Sequence, residues 1–176
     1  VTLVTYNSGR FIRRCLESVL EQRYPHIEIV IIDNASTDGT ADILDHFTNR
    51  CRIHYNPTNI GFAAAQNQAI ALSRGEWILA LNPDVLLMQT FVDELVLAAG
   101  LDPKIGTVCG KLLSISASFD LPEKQLVDST GIYFTPTLRH LDRGSQEPDQ
   151  GHYLNFEYVF GATAAAALYR REMIDD

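Results

Sequence analysis

The chain has 176 residues, a length that fits one domain with a hydrophobic core of its own. Hydrophobic residues make up 46% of the sequence and charged residues 20%, which excludes a largely disordered chain. The formal net charge is −8, whereas nucleic-acid-binding domains are usually basic, so we expect no nucleic-acid partner.

Hydrophobic patterning predicts strands and helices that alternate through the first 113 residues. Strands are predicted at residues 1–5, 27–32, 52–55, 77–81 and 105–113, and helices at residues 11–20, 41–47, 61–72 and 91–99. Asn7 or Ser8 is expected to cap the first helix. Residues 29–32 are all apolar, which indicates a strand buried on both faces. The alternation therefore predicts an α/β fold: a mostly parallel sheet with helices on both faces.

The pattern changes after Ser114. Residues 127–134 predict a further strand, and residues 135–151 predict a polar excursion over the sheet. Residues 156–169 predict a strand that leads into a helix at Arg170. Because the chain begins and stops inside regular patterns, we expect it to be part of a longer protein.

The cysteines and the hydropathy of the sequence indicate its cellular compartment. The three cysteines form no CxxC pair, which favours a reducing, cytoplasmic compartment over a disulfide framework or a zinc site. Nor does any apolar run reach the roughly 18 residues that a membrane-spanning helix needs.

Polar residues follow each of the first four predicted strands. In open α/β sheets, ligands bind at the carboxyl ends of the strands. Turn formation alone explains any one of these positions, but it is a poor explanation for all four strand ends together. In chain order they carry Tyr6 and Asn7; then Asp33, Asn34, Ser36 and Asp38; then Asn56 and Asn59; and finally Asn82 and Asp84.

These residues predict a metal-assisted site for a nucleoside diphosphate. The sequence has no GxGxxG or GxxxxGK[ST] loop, so the usual glycine-rich phosphate cradles are excluded. Bare carboxylates repel phosphate, so carboxylates at such a site imply a bridging Mg²⁺ or Mn²⁺. Asp84 follows an apolar strand and a rigid proline and is well placed as the ligand, while Asp33 could accept a base N–H instead.

Four motifs, in this order, resemble those of family 2 glycosyltransferases: VTYN at 4–7, IIDNASTDGT at 31–40, NIGFA at 59–63 and LNPD at 81–84. The resemblance implies a GT-A fold and an inverting enzyme that uses a nucleotide sugar. The LNPD motif and the alanine-rich segment at 161–171 are similar to a rhamnosyltransferase-like branch that builds bacterial polysaccharide or cell-wall linkers.

The resemblance also implies roles for individual residues. Asp33 would bind the imide N–H of uracil or thymine, and Asp84 would be the metal ligand. Asn82 replaces the first carboxylate of the family's Asp-x-Asp motif, which removes a charge but keeps an acceptor. The implied nucleotide-sugar site consists of Thr5, Tyr6, Asn7, Asp33, Asn34, Ser36, Asp38, Asn59, Gly61, Asn67, Asn82 and Asp84.

On this interpretation the chain is a single domain with two parts. Residues 1–113 would bind a UDP- or dTDP-sugar, and residues 114–176 would form an incomplete acceptor side for a saccharide or lipid-linked acceptor. The family's catalytic base would lie beyond Asp176, and a lipid-linked acceptor would bring peripheral contact with the inner face of the cell membrane. Nothing in the sequence predicts the oligomeric state.

Two alternatives remain at this stage. A sugar-1-phosphate nucleotidyltransferase would share the nucleotide-sugar chemistry, but it needs a glycine- and arginine-rich loop after the first strand, where this chain has residues 6–9. A catalytically silent module that only binds nucleotide sugars stays open, because the expected base lies outside the sequence.

Overall fold

Strands and helices alternate through the first hundred residues of the structure, a computed structural model that describes residues 1–120 and 122–176. The ends of these elements differ from the predicted ends by up to three residues, and the second strand begins at Val30 instead of residue 27. In order the elements are β1 (Thr2–Thr5), α1 (Ile12–Leu20), β2 (Val30–Asp33), α2 (Thr40–Asp45), β3 (Arg52–Tyr55), α3 (Phe62–Leu72), β4 (Trp77–Leu81) and α4 (Phe91–Ala99).

The later residues form shorter elements. They are β5 (Thr107–Cys109), β6 (Leu112–Leu113), β7 (Val127–Ser129), β8 (Ile132–Phe134), β9 (His140–Asp142), β10 (Ala166–Arg170) and α5 (Arg171–Asp175). Across the two described ranges, no helix has the length and apolar character needed to cross a membrane.

The described strands include a six-stranded sheet in the order β3-β2-β1-β4-β10-β5. β1 is parallel to both β2 and β4, and β2 is parallel to β3. β10 lies antiparallel between β4 and β5. The sheet is therefore mostly parallel, which confirms the predicted fold class; the insertion of β10 between β4 and β5 had no signal in the sequence.

Helices cover both faces of this sheet, as predicted. On one face, Leu3 and Ile31 pack with side chains of α1, α2 and α4 in the larger hydrophobic cluster. On the other face, Val4 and Ile32 pack against α3, whose small side chains let the helix approach closely. Alternate residues of β1 and β2 thus serve two separate cores, which is why consecutive residues are apolar at Leu3–Val4 and Val30–Ile32.

Three predicted strands differ from the structure. Residues 105–113 form two strands, because the chain leaves β10 after Cys109 and β6 pairs with β7 instead. Residues 127–134 are also interrupted, at Gly131, whose φ of 119° ends the extended run before β8. The strand predicted at residues 156–169 is confined to Ala166–Arg170.

The predicted cap of the first helix is wrong. α1 begins at Ile12, and its N-cap residue, Phe11, makes no side-chain capping hydrogen bond. Ser8 contributes its carbonyl oxygen, which accepts the N–H groups of Phe11 and Ile12 at 2.9 Å each. The Asn7 side chain contacts the neighbouring loop instead, because Asn7 adopts a left-handed conformation with φ of 52°.

Candidate functional site

The carboxyl ends of β2, β1 and β4 lie side by side at one edge of the sheet. Thr5 pairs with Asp33 on one side of β1, and Leu3 pairs with Leu81 on the other. The chain moves from β1 outward through β2 and β3, and then returns to place β4 on the opposite side of β1. This is a topological switch point, the position at which open α/β sheets form their ligand crevice.

The strand register places the ends of β2 and β4 at the same level. Counting on from the Leu3–Leu81 pair, the residues after β4 come level with Thr5 and Asp33. Two strand spacings separate β2 from β4, or about 10 Å. Asp33 and the segment that contains Asp84 therefore lie at the same end of the sheet, on opposite sides of β1, in a region that we call the crevice.

Asp33 is held in place by its neighbours. It is only 3% exposed. Its Oδ1 accepts the hydroxyl groups of Thr5 at 2.8 Å and Ser36 at 2.6 Å, and its Oδ2 accepts the Ser36 N–H at 3.0 Å. A carboxylate oxygen can accept two hydrogen bonds, so Oδ2 keeps capacity for one further donor. The side chain is oriented before any ligand arrives.

The loops after β1 and β2 are joined by polar contacts. Oδ1 of Asn7 accepts the Thr37 N–H at 2.8 Å, and the Asn7 N–H donates to Oγ of Ser36 at 2.9 Å. Tyr6, beside them, is 52% exposed at the rim of the crevice. The side chains of Asn7 and Ser36 therefore join the two loops, whereas the Tyr6 side chain is largely exposed.

Asp38 holds the start of α2 against the loop after β1. Its carboxylate accepts the Gly9 N–H at 3.0 Å and both the N–H and the hydroxyl of Thr40. Burial alone would raise the pKa of Asp38, but the hydrogen bonds from Thr40 and Gly9 outweigh it and hold the pKa below its ordinary value. Asp38 thus has a structural role, joining the loop after β1 to the start of α2.

The loop between β3 and α3 forms the outer wall on the β2 side. Nδ2 of Asn34 donates to Oδ1 of Asn59 at 2.7 Å, and that oxygen also accepts the Gly61 N–H at 2.9 Å. Gly61 has φ of 85° and ψ of 156°, a backbone region open almost only to glycine. Asn34 is 2% exposed, so it acts as an internal tie, whereas Asn59 and Gly61 face solvent.

The segment after β4 differs in character. Within residues 1–120 and 122–176, the Asp84 side chain is exposed and makes neither a hydrogen bond nor an ion pair. The Asn82 backbone is anchored, since its N–H donates to the Ala165 carbonyl at 2.9 Å at the entrance to β10. The strand end is fixed while its carboxylate stays free.

The negative charge of Asp84 affects its neighbours. Burial, followed by the charge of Asp84, raises the pKa of the Cys15 thiol to about 12, so this cysteine is an inert packing residue. Burial, followed by Asp142 and then Asp84, also raises the pKa of Asp128. Asp128 therefore lies within electrostatic reach of both Asp142 and Asp84.

The side chains at the end of β4 fit a divalent cation that takes most of its ligands from the substrate and from water. The described part of the chain contains no group of three His, Cys, Asp or Glu side chains that could hold a metal by itself. Mg²⁺ and Mn²⁺ are commonly bound by one or two carboxylates together with substrate phosphates and water. Asp84, free of other partners, is the carboxylate that this arrangement offers, with Asn82 beside it.

The structure does not bring every predicted site residue to the crevice. Asn67 is exposed on the face of α3 opposite Ala65 and Ala69, which pack on the sheet. Conversely, Asn56 and Gln68 take part in the hydrogen bonds of the β2 side. Asn56 was predicted as a strand-end residue but not as part of the nucleotide-sugar site that the resemblance implies, and Gln68 was not predicted at all. Gln68 could have been found from the sequence, because it is a polar residue beside the small residues Ala65 and Ala69 of a predicted helix.

Comparison with known proteins identifies the family. A family model described as glycosyl transferase family 2 matches residues 1–176. The chain belongs to glycosyltransferase family 2. Among curated relatives of this family 2 chain, the glycosyltransferase GlyG of Streptococcus pneumoniae serotype 4 is 33% identical over 98 residues, which cover 54% of this chain and 33% of GlyG.

Solved structures of GT-A glycosyltransferases share the fold of this family 2 chain. A mannosyltransferase, PcManGT from Pyrobaculum calidifontis in complex with GDP-Man and Mn²⁺, is 27% identical with a TM-score of 0.58, covering 62% of this chain and 34% of PcManGT. S. aureus TarS 1–349 is 20% identical with a TM-score of 0.68, covering 99% of this chain and 47% of TarS 1–349. The chain thus spans less than half of each of these proteins.

Proposed function

We propose that this chain is the nucleotide-sugar-binding part of an inverting glycosyltransferase that uses a UDP- or dTDP-sugar together with Mg²⁺ or Mn²⁺. The observation that carries the proposal is the placement of two different aspartates on opposite sides of β1. Asp33 is fixed by hydrogen bonds on one side, and Asp84 is free on the other.

The β2 side suits a pyrimidine nucleoside. Uracil and thymine each present one imide N–H, and Oδ2 of Asp33 has capacity for one more donor. Thr5 and Ser36 occupy Oδ1 and so direct the remaining capacity to a single oxygen. We assign the rest of the nucleoside wall to Tyr6, Asn7, Asn34, Asp38, Asn59 and Gly61.

The β4 side suits the diphosphate. Asp84 would hold the divalent cation, with Asn82 able to accept a hydrogen bond from a metal-bound water or the ribose. Such a cation supplies charge stabilisation for the leaving diphosphate. The complex of PcManGT with GDP-Man and Mn²⁺, and that of S. aureus TarS 1–349 with UDP-GlcNAc, support this combination of ligands.

The acceptor is proposed to be a saccharide or a lipid-linked saccharide in cell-wall or polysaccharide synthesis. A match to chondroitin synthase of Escherichia coli, 37% identical over 95 residues, supports a polymer-building role. Residues 81–84 and 161–171 favour the rhamnosyltransferase-like branch. A lipid-linked acceptor would place the protein in the cytoplasm, at the inner face of the membrane.

Thermal unfolding in the presence of nucleotides tests this function. UDP or dTDP with Mn²⁺ at 100 times its Kd is expected to raise the Tm of the full chain by about 5–10 °C, because the ligand binds only the native state. Without Mn²⁺ the shift should be smaller, since the diphosphate then meets an uncompensated Asp84. If GDP raises the Tm more than UDP and dTDP do, the pyrimidine assignment is wrong; no shift with any nucleotide would refute the whole proposal.

A further inference from the structure

A chain of side-chain amides runs from α3 to the outer wall of the crevice. Nδ2 of Asn56 donates to Oε1 of Gln68 at 2.9 Å and to Oδ1 of Asn34 at 3.2 Å. Oδ1 of Asn34 also accepts the Ile60 N–H at 3.1 Å, while its Nδ2 donates to Asn59. Asn34 and Asn56 are both buried, so water cannot replace these partners without opening the loop.

We infer that Asn56 and Gln68 are positioning residues, which set the loop at 56–61 at a fixed distance from Asp33. This inference rests on the proposed function. Gln68 accepts one Asn56 N–H and leaves the other for Asn34, which fixes the amide orientation of both asparagines. Asn34 can then face its Nδ2 group to Asn59 and its oxygen to Ile60. Gln68 therefore acts on the nucleoside wall from outside the crevice.

The directionality of the hydrogen bonds gives a selective test at Gln68. The structure uses its acceptor oxygen toward Asn56, and glutamate keeps an oxygen in that place. Methionine has a similar length and stays compatible with a helix, but its thioether is a weak acceptor. Gln68→Met should break the relay, and Gln68→Glu should preserve it.

The same helix provides a matched control. Nε2 of Gln66 donates to Oγ1 of Thr2 at 2.6 Å, so Gln66 also ties α3 to the sheet. Thr2 lies at the first residue of β1, at the end of the strand away from the crevice. Gln66→Met therefore removes a comparable hydrogen bond without touching the relay.

Nucleotide titration of the full-length chain separates positioning from general stabilisation. We expect Gln68→Met to weaken UDP and uridine binding equally, by about fivefold to tenfold, with the enhancement by Mn²⁺ unchanged. Gln68→Glu and Gln66→Met should stay within about twofold of the wild type. Equal weakening by Gln66→Met and Gln68→Met, or a lower Tm for Gln68→Met with unchanged Kd, would overturn the inference.

Amide hydrogen exchange tests the same inference without nucleotide. The N–H groups of Ile60 and Gly61 are bonded to the side chains of Asn34 and Asn59. Gln68→Met should speed their exchange about tenfold, whereas Gln66→Met should not. Unchanged exchange in Gln68→Met would overturn the relay. Failure of the wild-type chain to bind any nucleotide would instead refute the proposed function, and the exchange rates would still decide the relay.

Discussion

The two sides of the crevice are built differently, although both follow parallel strands of one sheet. On the β2 side (residues 33–40 and 56–61), polar side chains bond to one another; Asp33 alone accepts three hydrogen bonds. On the β4 side (residues 82–85), Asp84 is exposed and has no such bonds within the described residues. The comparison teaches that the β2 side is preorganised, while the β4 side keeps an exposed carboxylate.

The burial of the two aspartates explains this difference. Asp33 is buried at the carboxyl end of β2, where a carboxylate without hydrogen bonds would be costly. Thr5 and Ser36 supply those hydrogen bonds. Asp84 follows Pro83 beyond the end of β4 and is exposed, so water can solvate its charge. Removing a carboxylate should therefore lower both stability and ligand affinity on the β2 side, but ligand affinity alone on the β4 side.

The largest expected effect is at Asp84. Asp84→Asn should weaken Mn²⁺-dependent UDP binding about 100-fold, because the cation loses its protein carboxylate. The unfolding free energy of the unliganded chain should change by less than about 0.5 kcal/mol, since the side chain is exposed. Isothermal titration with and without Mn²⁺ measures the first effect, and urea unfolding measures the second.

Asp175→Asn is the matched control for this variant. Asp175 is also exposed, but it ends α5. This helix follows β10 at the end of the sheet where β4 begins, away from the crevice. The replacement of Asp175 should leave Mn²⁺-dependent binding unchanged. Equal losses in both variants would mean that net charge, rather than a metal ligand, controls nucleotide binding.

The next effect is at Asp33. Asp33→Asn replaces Oδ2 or Oδ1 by a group that cannot accept from Ser36, and we expect a loss of about 2 kcal/mol in unfolding free energy. Ser36→Ala should cost about 1 kcal/mol, because Thr5 and the backbone N–H of residue 36 still bond to the carboxylate. If urea unfolding shows no loss for Asp33→Asn, the β2 side is not preorganised as described.

A smaller effect is expected at Gly61. Its positive φ makes Gly61→Ala unfavourable by about 1 kcal/mol, although an added Cβ meets no atom within 4 Å. Gly151 has a similar φ of 82° and equally open space, so Gly151→Ala is the control for an alanine at positive φ outside the crevice. Both variants should lose similar stability, and only Gly61→Ala should weaken UDP binding. Equal UDP affinities would exclude residue 61 from the nucleoside wall.

The smallest effect concerns pH and Asp38. Because the pKa of Asp38 is lowered in the folded chain, its carboxylate contributes stability above its unfolded pKa, and this is lost as pH falls through the lowered value. Asp38→Asn should cost less than about 1 kcal/mol near neutral pH, because the group is solvent-screened. The difference from wild type, measured by urea unfolding from about pH 6 to 2.5, should shrink toward zero; a constant difference would contradict the assigned hydrogen bonds.

The fold was predictable where local patterns decide it. The apolar residues of β1 and β2, and the helical spacing of Ile12, Leu16 and Val19, each identify an element from a few neighbouring residues. The place of β10 depends on pairing with β4 across more than 80 residues, for which the sequence carries no local signal. The split of residues 105–113 has the same origin, because it depends on which partner strand is adjacent.

The candidate site was predictable as a set of strand ends, and less so as a set of contacts. The rule that ligands bind at carboxyl ends selects Asp33 and Asp84 without knowledge of their surroundings. The separate tasks of Asn34, Asn56 and Gln68 depend on side-chain orientation and burial, which spacing does not encode. The cap assigned to Asn7 or Ser8 failed for this reason, since the Asn7 side chain bonds to Thr37 instead.

A crystal structure of the chain grown with UDP and Mn²⁺ tests the central claim most directly, because anomalous scattering locates the metal independently of the nucleotide. The account predicts one Mn²⁺ coordinated by Asp84 and diphosphate oxygens, with the uracil imide N–H bonded to Oδ2 of Asp33 in the same molecule of UDP. A metal bound away from Asp84, or a base that does not reach Asp33, would contradict it.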